Sequence, residues 1–248
     1  MREFGLAGYP LGHSFSKRYF TQKFEEKGIE ATYNNFEIED INSIKSIIDK
    51  FPDLEGFNVT IPHKQAIIPL LSSISKEAKE IGAVNCVKIV RECGECKLVG
   101  YNTDVIGFEG ALREFLGEAS PEKALVLGNG GAAKAVCYVL NKMGIQHLIV
   151  SRRASKVGEI GYESLPEIIA DYKLIVNTTP LGTWPNIETS PDIPYQMLTT
   201  EHFLFDLVYN PEMTKFMSEG KKVGTKVCNG YKMLVMQAEA GWKIWNNK

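Results

Sequence analysis

Lys64 follows Asn58-Val59-Thr60-Ile61-Pro62-His63, and its type and place could do chemistry. A strand over 56–60 puts Asn58 and Thr60 on one face near its carboxyl end, where open α/β sheets bind ligands. Pro62 suits the first position of a helix. Lys64 then falls in a first turn, where the helix dipole disfavours a cation. A locally unfavourable residue is a mark of function; a lysine of depressed pKa can pass a proton to or from an oxygen. An exposed surface lysine is the alternative. Asp104, in Tyr101-Asn102-Thr103-Asp104, either caps a helix over 105–116 or pairs with Lys64. Ser14 and Ser16 precede a helix, where hydroxyls cap it or help its amides hold a carboxylate. Asn85 closes Gly82-Ala83-Val84-Asn85. Gln237 sits in the apolar run 233–238, where a buried amide needs partners and a solvent-facing one does not.

A second set of residues suits a phosphate-bearing cofactor. Leu125-Val126-Leu127-Gly128-Asn129-Gly130-Gly131-Ala132-Ala133 has the form G-x-G-x-x-A between a strand and a helix. Gly128 allows the turn, Gly130 lets backbone approach a pyrophosphate, and Ala133 keeps helix and strand close. Amides at that helix start hold the phosphates. In NAD-binding folds a carboxylate about 20 positions on accepts from the ribose 2′-hydroxyl. Here the place reads Ser151-Arg152-Arg153-Ala154-Ser155-Lys156. Guanidinium groups suit a phosphate, so NADP is the expected cofactor.

The elements that must position these residues alternate. Strands are expected at 3–7, 32–37, 56–60, 84–90 and 97–101, the last two as a hairpin. Helical stretches are expected at 16–27, 41–50, 64–81 in two pieces, and 105–116. A largely parallel sheet follows. The polar stretch 117–122 marks a domain boundary. Beyond it, strands at 124–127, 147–150, 174–176, 203–207 and 223–226 surround a helix at 132–143. A final helix from 230 to about 245 is long enough to return to the first half. The fold class is therefore α/β, with domains 1–117 and 118–229 and the segment 230–248 packing back on the first.

The 248 residues are 44% hydrophobic and 23% charged, which supports a real core. A formal charge of −2 gives no electrostatic footprint for nucleic acid or an anionic membrane. No apolar run reaches the roughly 18 residues that span a bilayer, and no signal-peptide stretch opens the chain. Five cysteines without an export signal imply reduced thiols in a cytoplasmic protein. Cys93 and Cys96 are one C-x-x-C pair where a structural zinc needs four ligands. They read as a hairpin turn, and no metal is expected.

In chain order, Ser14 with Ser16, 58–64, 82–85, 102–104, 128–134, 177–182, 206–211 and 233–237 resemble the shikimate dehydrogenase family over essentially the whole chain. The resemblance implies a substrate domain, a Rossmann-like, doubly wound NADP domain, and a cleft between them. It implies that Ser14, Ser16, Asn58, Thr60, Asn85, Asp104, Tyr209 and Gln237 line a shikimate site, with Lys64 and Asp104 carrying the proton transfer. It also implies that Gly128, Asn129, Gly130, Gly131, Ala132, Ser151, Arg152, Arg153, Lys156, Thr178, Leu207 and Gly230 contact the cofactor. The activity expected is reversible NADPH-dependent reduction of 3-dehydroshikimate in aromatic amino-acid biosynthesis, by a monomer or homodimer. A quinate-active relative and a silent nucleotide-binding regulator are the alternatives. Asn129, Cys86, Ser151, Arg153 and Lys232 depart from the family's usual residues.

Overall fold

A computed structural model gives the fold and describes every residue except His13, Cys93, Lys156 and Lys248. Cys93 of the expected hairpin turn is therefore outside the described residues. The chain divides into two compact units, Met1–Thr103 with Ala238–Lys248, and Asp104–Gln237.

The first unit contains β1 (Arg2–Gly8), α1 (Phe15–Lys27), β2 (Ala31–Glu37), α2 (Ile44–Lys50), β3 (Leu54–Val59), β4 (Ser73–Ile74), α3 (Lys76–Ile81), β5 (Cys86–Glu92) and β6 (Glu95–Tyr101). The second contains α4 (Asp104–Leu116), β7 (Lys123–Leu127), α5 (Gly131–Lys142), β8 (Gln146–Val150), β9 (Glu159–Ile160), α6 (Leu165–Ile168), β10 (Leu174–Asn177), β11 (Phe203–Asp206), α7 (Lys215–Lys222) and β12 (Lys226–Cys228). The last helix, α8 (Tyr231–Asn246), starts in the second unit and ends in the first.

The first sheet has the order β2-β1-β3-β5-β6-β4. β1 is parallel to β2 and β3, whereas β5 is antiparallel to both β3 and β6. The sheet is mixed because the β5–β6 hairpin enters beside β3. Strand alternation splits the core. Phe4 and Leu6 of β1 join Phe20, Phe24, Tyr33 and Trp245. Ala7 joins Phe36, Ile44, Phe57 and Val59. Trp245 stacks on Phe4 with ring centroids 4.9 Å apart, and its indole nitrogen donates to the Val87 carbonyl at 3.0 Å. Each such buried aromatic contributes about 1.5–3 kcal/mol by apolar burial.

The second sheet is parallel throughout, in the order β12-β11-β10-β7-β8-β9. The chain runs outward from β7 through β8 and β9, then returns to β10 and leaves through β11 and β12. The strand order therefore reverses between β7 and β10, and the carboxyl ends there form the crevice where such sheets bind ligands.

Within the second unit α4 packs on the sheet. Phe108 meets Phe205 edge-on at 5.2 Å, and Phe115 meets Phe203 and Phe205. The strand expected over 223–226 begins only at Lys226, because α7 runs to Lys222 and a turn with Gly224 at φ +85° follows it. Thr214 caps α7 by accepting from the Met217 amide, and Phe216, Met217 and Gly220 are its buried residues. Among the described residues no helix is long and apolar enough to cross a membrane.

Candidate active site

Lys64 is not in a helix. Residues 61–67 run as successive turns, so the helix-dipole reason for singling it out does not hold. Tertiary bonding explains the change. The Lys64 carbonyl, which a helix would give to an amide four residues on, instead accepts the Val84 amide at 2.7 Å. Beside it His63 is buried, with Nε2 2.7 Å from the Ile38 carbonyl. The Thr60 amide donates to Ala7 at 2.9 Å and the His63 amide to Thr60 at 2.9 Å. The half-buried Lys64 thus stands on a loop fixed on both sides, and pre-organisation of that kind suits a group that must meet a reacting atom.

Around the end of β3 the first unit gathers polar groups. Asn58, 3% exposed, accepts the Tyr33 hydroxyl at 2.8 Å and donates to the Asn85 carbonyl at 3.2 Å. Ser16 hydrogen-bonds to Tyr33, whose hydroxyl is raised well above its usual pKa by burial, with the Ser16 bond acting the other way. The Asn85 side-chain oxygen accepts both the amide and the hydroxyl of Thr103, at 2.7 and 3.2 Å. Asn102 donates to the Ala83 carbonyl at 3.0 Å. Ser14 is the N-cap of α1, accepting from the Lys17 amide at 3.2 Å. Half-buried Thr60 continues the face of Asn58.

In the second unit Asp104 is buried and opens α4, directly after the anchored Thr103. Gln237 is buried on α8, and Tyr209 is half-buried after β11.

The glycine loop lies at the strand reversal. Gly128 has φ +103°, and a Cβ there would come within 2.9 Å of Thr178 Oγ1. Only glycine holds that conformation without strain. Thr178 is fixed in turn, its hydroxyl and amide both donating to the Leu127 carbonyl at 2.7 and 2.9 Å. Gly130 is the N-cap of α5 with no side-chain cap, and nothing lies within 4 Å of where its Cβ would be. The first residues of α5, Gly131 and Ala132, are half-buried. Gly230 approaches Leu207 so closely that a Cβ would sit 2.1 Å from the Leu207 carbonyl oxygen.

Asn129, Ser151, Arg152 and Arg153 line a pocket of about 570 Å³, within the size range of a cofactor site. Both arginines and Asn129 are exposed. Ser151 is buried, and its hydroxyl has no hydrogen-bond partner among the described residues. An orphaned buried hydroxyl beside two guanidiniums, near a helix start with open amides, fits a nucleotide carrying an extra phosphate. Lys156, expected in this turn, lies outside the described residues.

Sequence reasoning missed two participants. Tyr33 is the partner of Asn58 and Ser16; its only signal is an aromatic on the inward face of β2. Asp206, with Asn177 and Thr214, forms a buried network at the ends of β10 and β11. Its signal is an acid ending an otherwise apolar strand.

Comparison with known proteins agrees with this arrangement. Residues 6–87 match the family described as the shikimate dehydrogenase substrate binding domain. The shikimate dehydrogenase (NADP(+)) of Caldicellulosiruptor saccharolyticus is 37% identical, over 99% of this chain and 92% of its own. The shikimate 5-dehydrogenase of Thermus thermophilus, solved with NADP(H) and shikimate, is 31% identical with a TM-score of 0.85, over 99% of this chain and 94% of that one. The quinate dehydrogenase of Corynebacterium glutamicum, solved with NAD, is 25% identical with a TM-score of 0.87, over 99% and 93%. A substrate half followed by a parallel nucleotide-binding sheet, matched along nearly its full length, places this chain in the shikimate dehydrogenase family.

Proposed function

We propose that this chain interconverts 3-dehydroshikimate and shikimate with NADPH and NADP, as a cytoplasmic enzyme of aromatic amino-acid biosynthesis, monomeric or homodimeric. The observation that carries the cofactor choice is the pocket after β8, where Ser151, Arg152 and Arg153 stand in place of a carboxylate. Quinate dehydrogenases share the fold, so the fold alone does not separate the two; the arginines favour NADP. Lys64 and Asp104 together argue for an enzyme over a silent binding protein, which needs no proton shuttle.

When bound, the cofactor supplies or takes up the hydride. The remaining work belongs to side chains. Reduction of a ring ketone leaves an alkoxide that needs a proton as it forms. Lys64 delivers it, and removes it in the reverse direction. Asp104 orients the ammonium and accepts from a substrate hydroxyl. Ser14 and Ser16 take the carboxylate at the start of α1. Asn58, Thr60, Asn85, Tyr209 and Gln237 hold the ring substituents. Gly128, Asn129, Gly130, Gly131 and Ala132 receive the pyrophosphate; Ser151, Arg152, Arg153 and Lys156 the 2′-phosphate; Thr178, Leu207 and Gly230 the nicotinamide end. In this reading 1–117 is the substrate domain with 230–248 packed on it, and 118–229 binds the cofactor.

The test is growth. A strain lacking shikimate dehydrogenase should grow without aromatic supplements when it carries this chain, but not with Lys64→Ala. Failure of the wild-type chain to support growth, at normal expression, contradicts the proposal.

A further inference from the structure

Three side chains at the ends of β10 and β11 form a network that the chemistry above does not use. Asn177, Asp206 and Thr214 are each 0% exposed. Asn177 and Asp206 are directly paired in register as the last residues of their strands. The Asn177 amide donates to Asp206 Oδ1 at 2.9 Å. The same Oδ1 accepts the Val208 amide at 3.0 Å, and Oδ2 accepts the Thr214 hydroxyl at 2.6 Å. Asn177 Oδ1 accepts the amide and hydroxyl of Thr179 at 3.0 and 2.6 Å. The Asn177 carbonyl accepts the Leu207 amide at 2.9 Å.

A buried carboxyl is an expensive way to fasten strand ends, and apolar residues would pack there at lower cost. The groups acting on Asp206 are the Thr214 hydroxyl, the Val208 amide and the Asn177 amide, none of them a cation. What the carboxyl does is tie down two turns at once. One turn, immediately after Asn177, starts with Thr178; the other, immediately after Asp206, starts with Leu207. The first flanks the strand reversal, the second lies one strand further along the sheet, and both carry residues assigned above to the nicotinamide end of the cofactor. The third tether, Thr214, also caps α7.

The geometry points to Asp206 as a positioning residue for the cofactor: its carboxylate, with Asn177, holds the Thr178 and Leu207 turns in the shape that receives the nicotinamide end. This rests on the assignment of Thr178 and Leu207 to that end. Burial raises the Asp206 carboxyl to about 6, against three donors that favour its ionised form. Tyr195 is a titratable neighbour, its hydroxyl pushed up by burial, with Glu219, Asp206 and Asp192 adding to the effect. Below about pH 6 the carboxyl takes a proton, one oxygen ceases to be a pure acceptor, and the turns lose the shape that the ionised form holds, although the fold itself is not weakened.

The experiment is direct NADPH titration by fluorescence, with steady-state kinetics, of wild type, Asp206→Asn and Thr214→Val, between about pH 5 and 8. Asp206→Asn keeps the size of the side chain and removes the charge. It should weaken NADPH binding about tenfold at pH 7.5 while leaving the KM for shikimate within about twofold. The ratio of the two dissociation constants should shrink as the pH falls below 6, and taking the ratio cancels titration of the NADPH phosphate itself. Thr214→Val, which removes one donor only, should give a smaller loss in the same direction, and it decides the matter if Asp206→Asn does not fold. Variants that bind NADPH as wild type does at every pH, merely melting at lower temperature, overturn the proposal. If they fall as expected while Thr178→Ala binds NADPH normally, the assignment of Thr178 fails on its own, and Asp206 acts through Leu207.

Discussion

The Lys64 carbonyl oxygen accepts the Val84 amide at 2.7 Å, which fastens the loop bearing the proposed acid–base group to the segment leading into β5. The lysine is therefore presented by tertiary bonding rather than by a helix. Lys64→Ala should lower kcat by about 10²–10⁴, the loss expected for a general acid–base group, with little change in shikimate affinity. Its melting temperature should stay near wild type, since the backbone bond survives the substitution. Asp104→Ala should impair both kcat and shikimate binding. Near-normal kcat for Lys64→Ala between about pH 6 and 10 would move the role elsewhere, with Asp104 next.

Arg152→Ala separates the two cofactors. Loss of a charge-assisted bond to phosphate costs about 1.5–3 kcal/mol, or ten- to a hundredfold. The KM for NADP should rise by that factor, and the KM for NAD far less. Equal effects on both would show that Arg152 does not read the 2′-phosphate.

Ser14 and Ser16 now have distinct expectations, because Ser14 caps α1 while Ser16 bonds to buried Tyr33. Ser14→Ala should lower stability by about 1 kcal/mol, a fall of about 2–4 °C in Tm. If both serines also bind the carboxylate, the double alanine variant should weaken shikimate binding and leave NADP affinity unchanged. A variant that only melts earlier, with normal shikimate binding measured by calorimetry, leaves them as structural groups.

A fourth prediction concerns pH and stability. Asp206 titrates near 6 in the folded protein against an ordinary 3.8, so between those values the folded state holds more of its proton than the unfolded one. Stability from this group therefore increases as the pH falls from 6 to 4, and is constant above about 7. Urea unfolding should show wild type gaining up to about 3 kcal/mol over Asp206→Asn across that window. A pH-independent difference would mean that the carboxyl titrates in its ordinary range.

What the sequence revealed and what it hid follow one physical division. β1, β2 and β7 were legible because period-2 or continuous apolar runs record which faces are buried. The Gly128 loop was legible because it needs a backbone that only glycine permits. The turns at 61–67 were hidden, since Pro62 and the residues after it are locally compatible with a helix. What decides against one is a bond from Val84, and no local pattern records it. Helix α7 was hidden by its lysines and glycine, although Phe216 and Met217 anchor it. Tyr33 and Asp206 were missed for a related reason: Asn58 and Ser16 reach Tyr33, and Asn177 reaches Asp206, only through the tertiary fold.

The most direct test is a set of initial rates, followed at the NADPH absorbance band, for purified protein with shikimate or quinate, each with NADP or NAD. Turnover should be fastest with shikimate and NADP, and nearly abolished in Lys64→Ala. No signal with shikimate and NADP, alongside efficient turnover of quinate or another hydroxy acid, would contradict it.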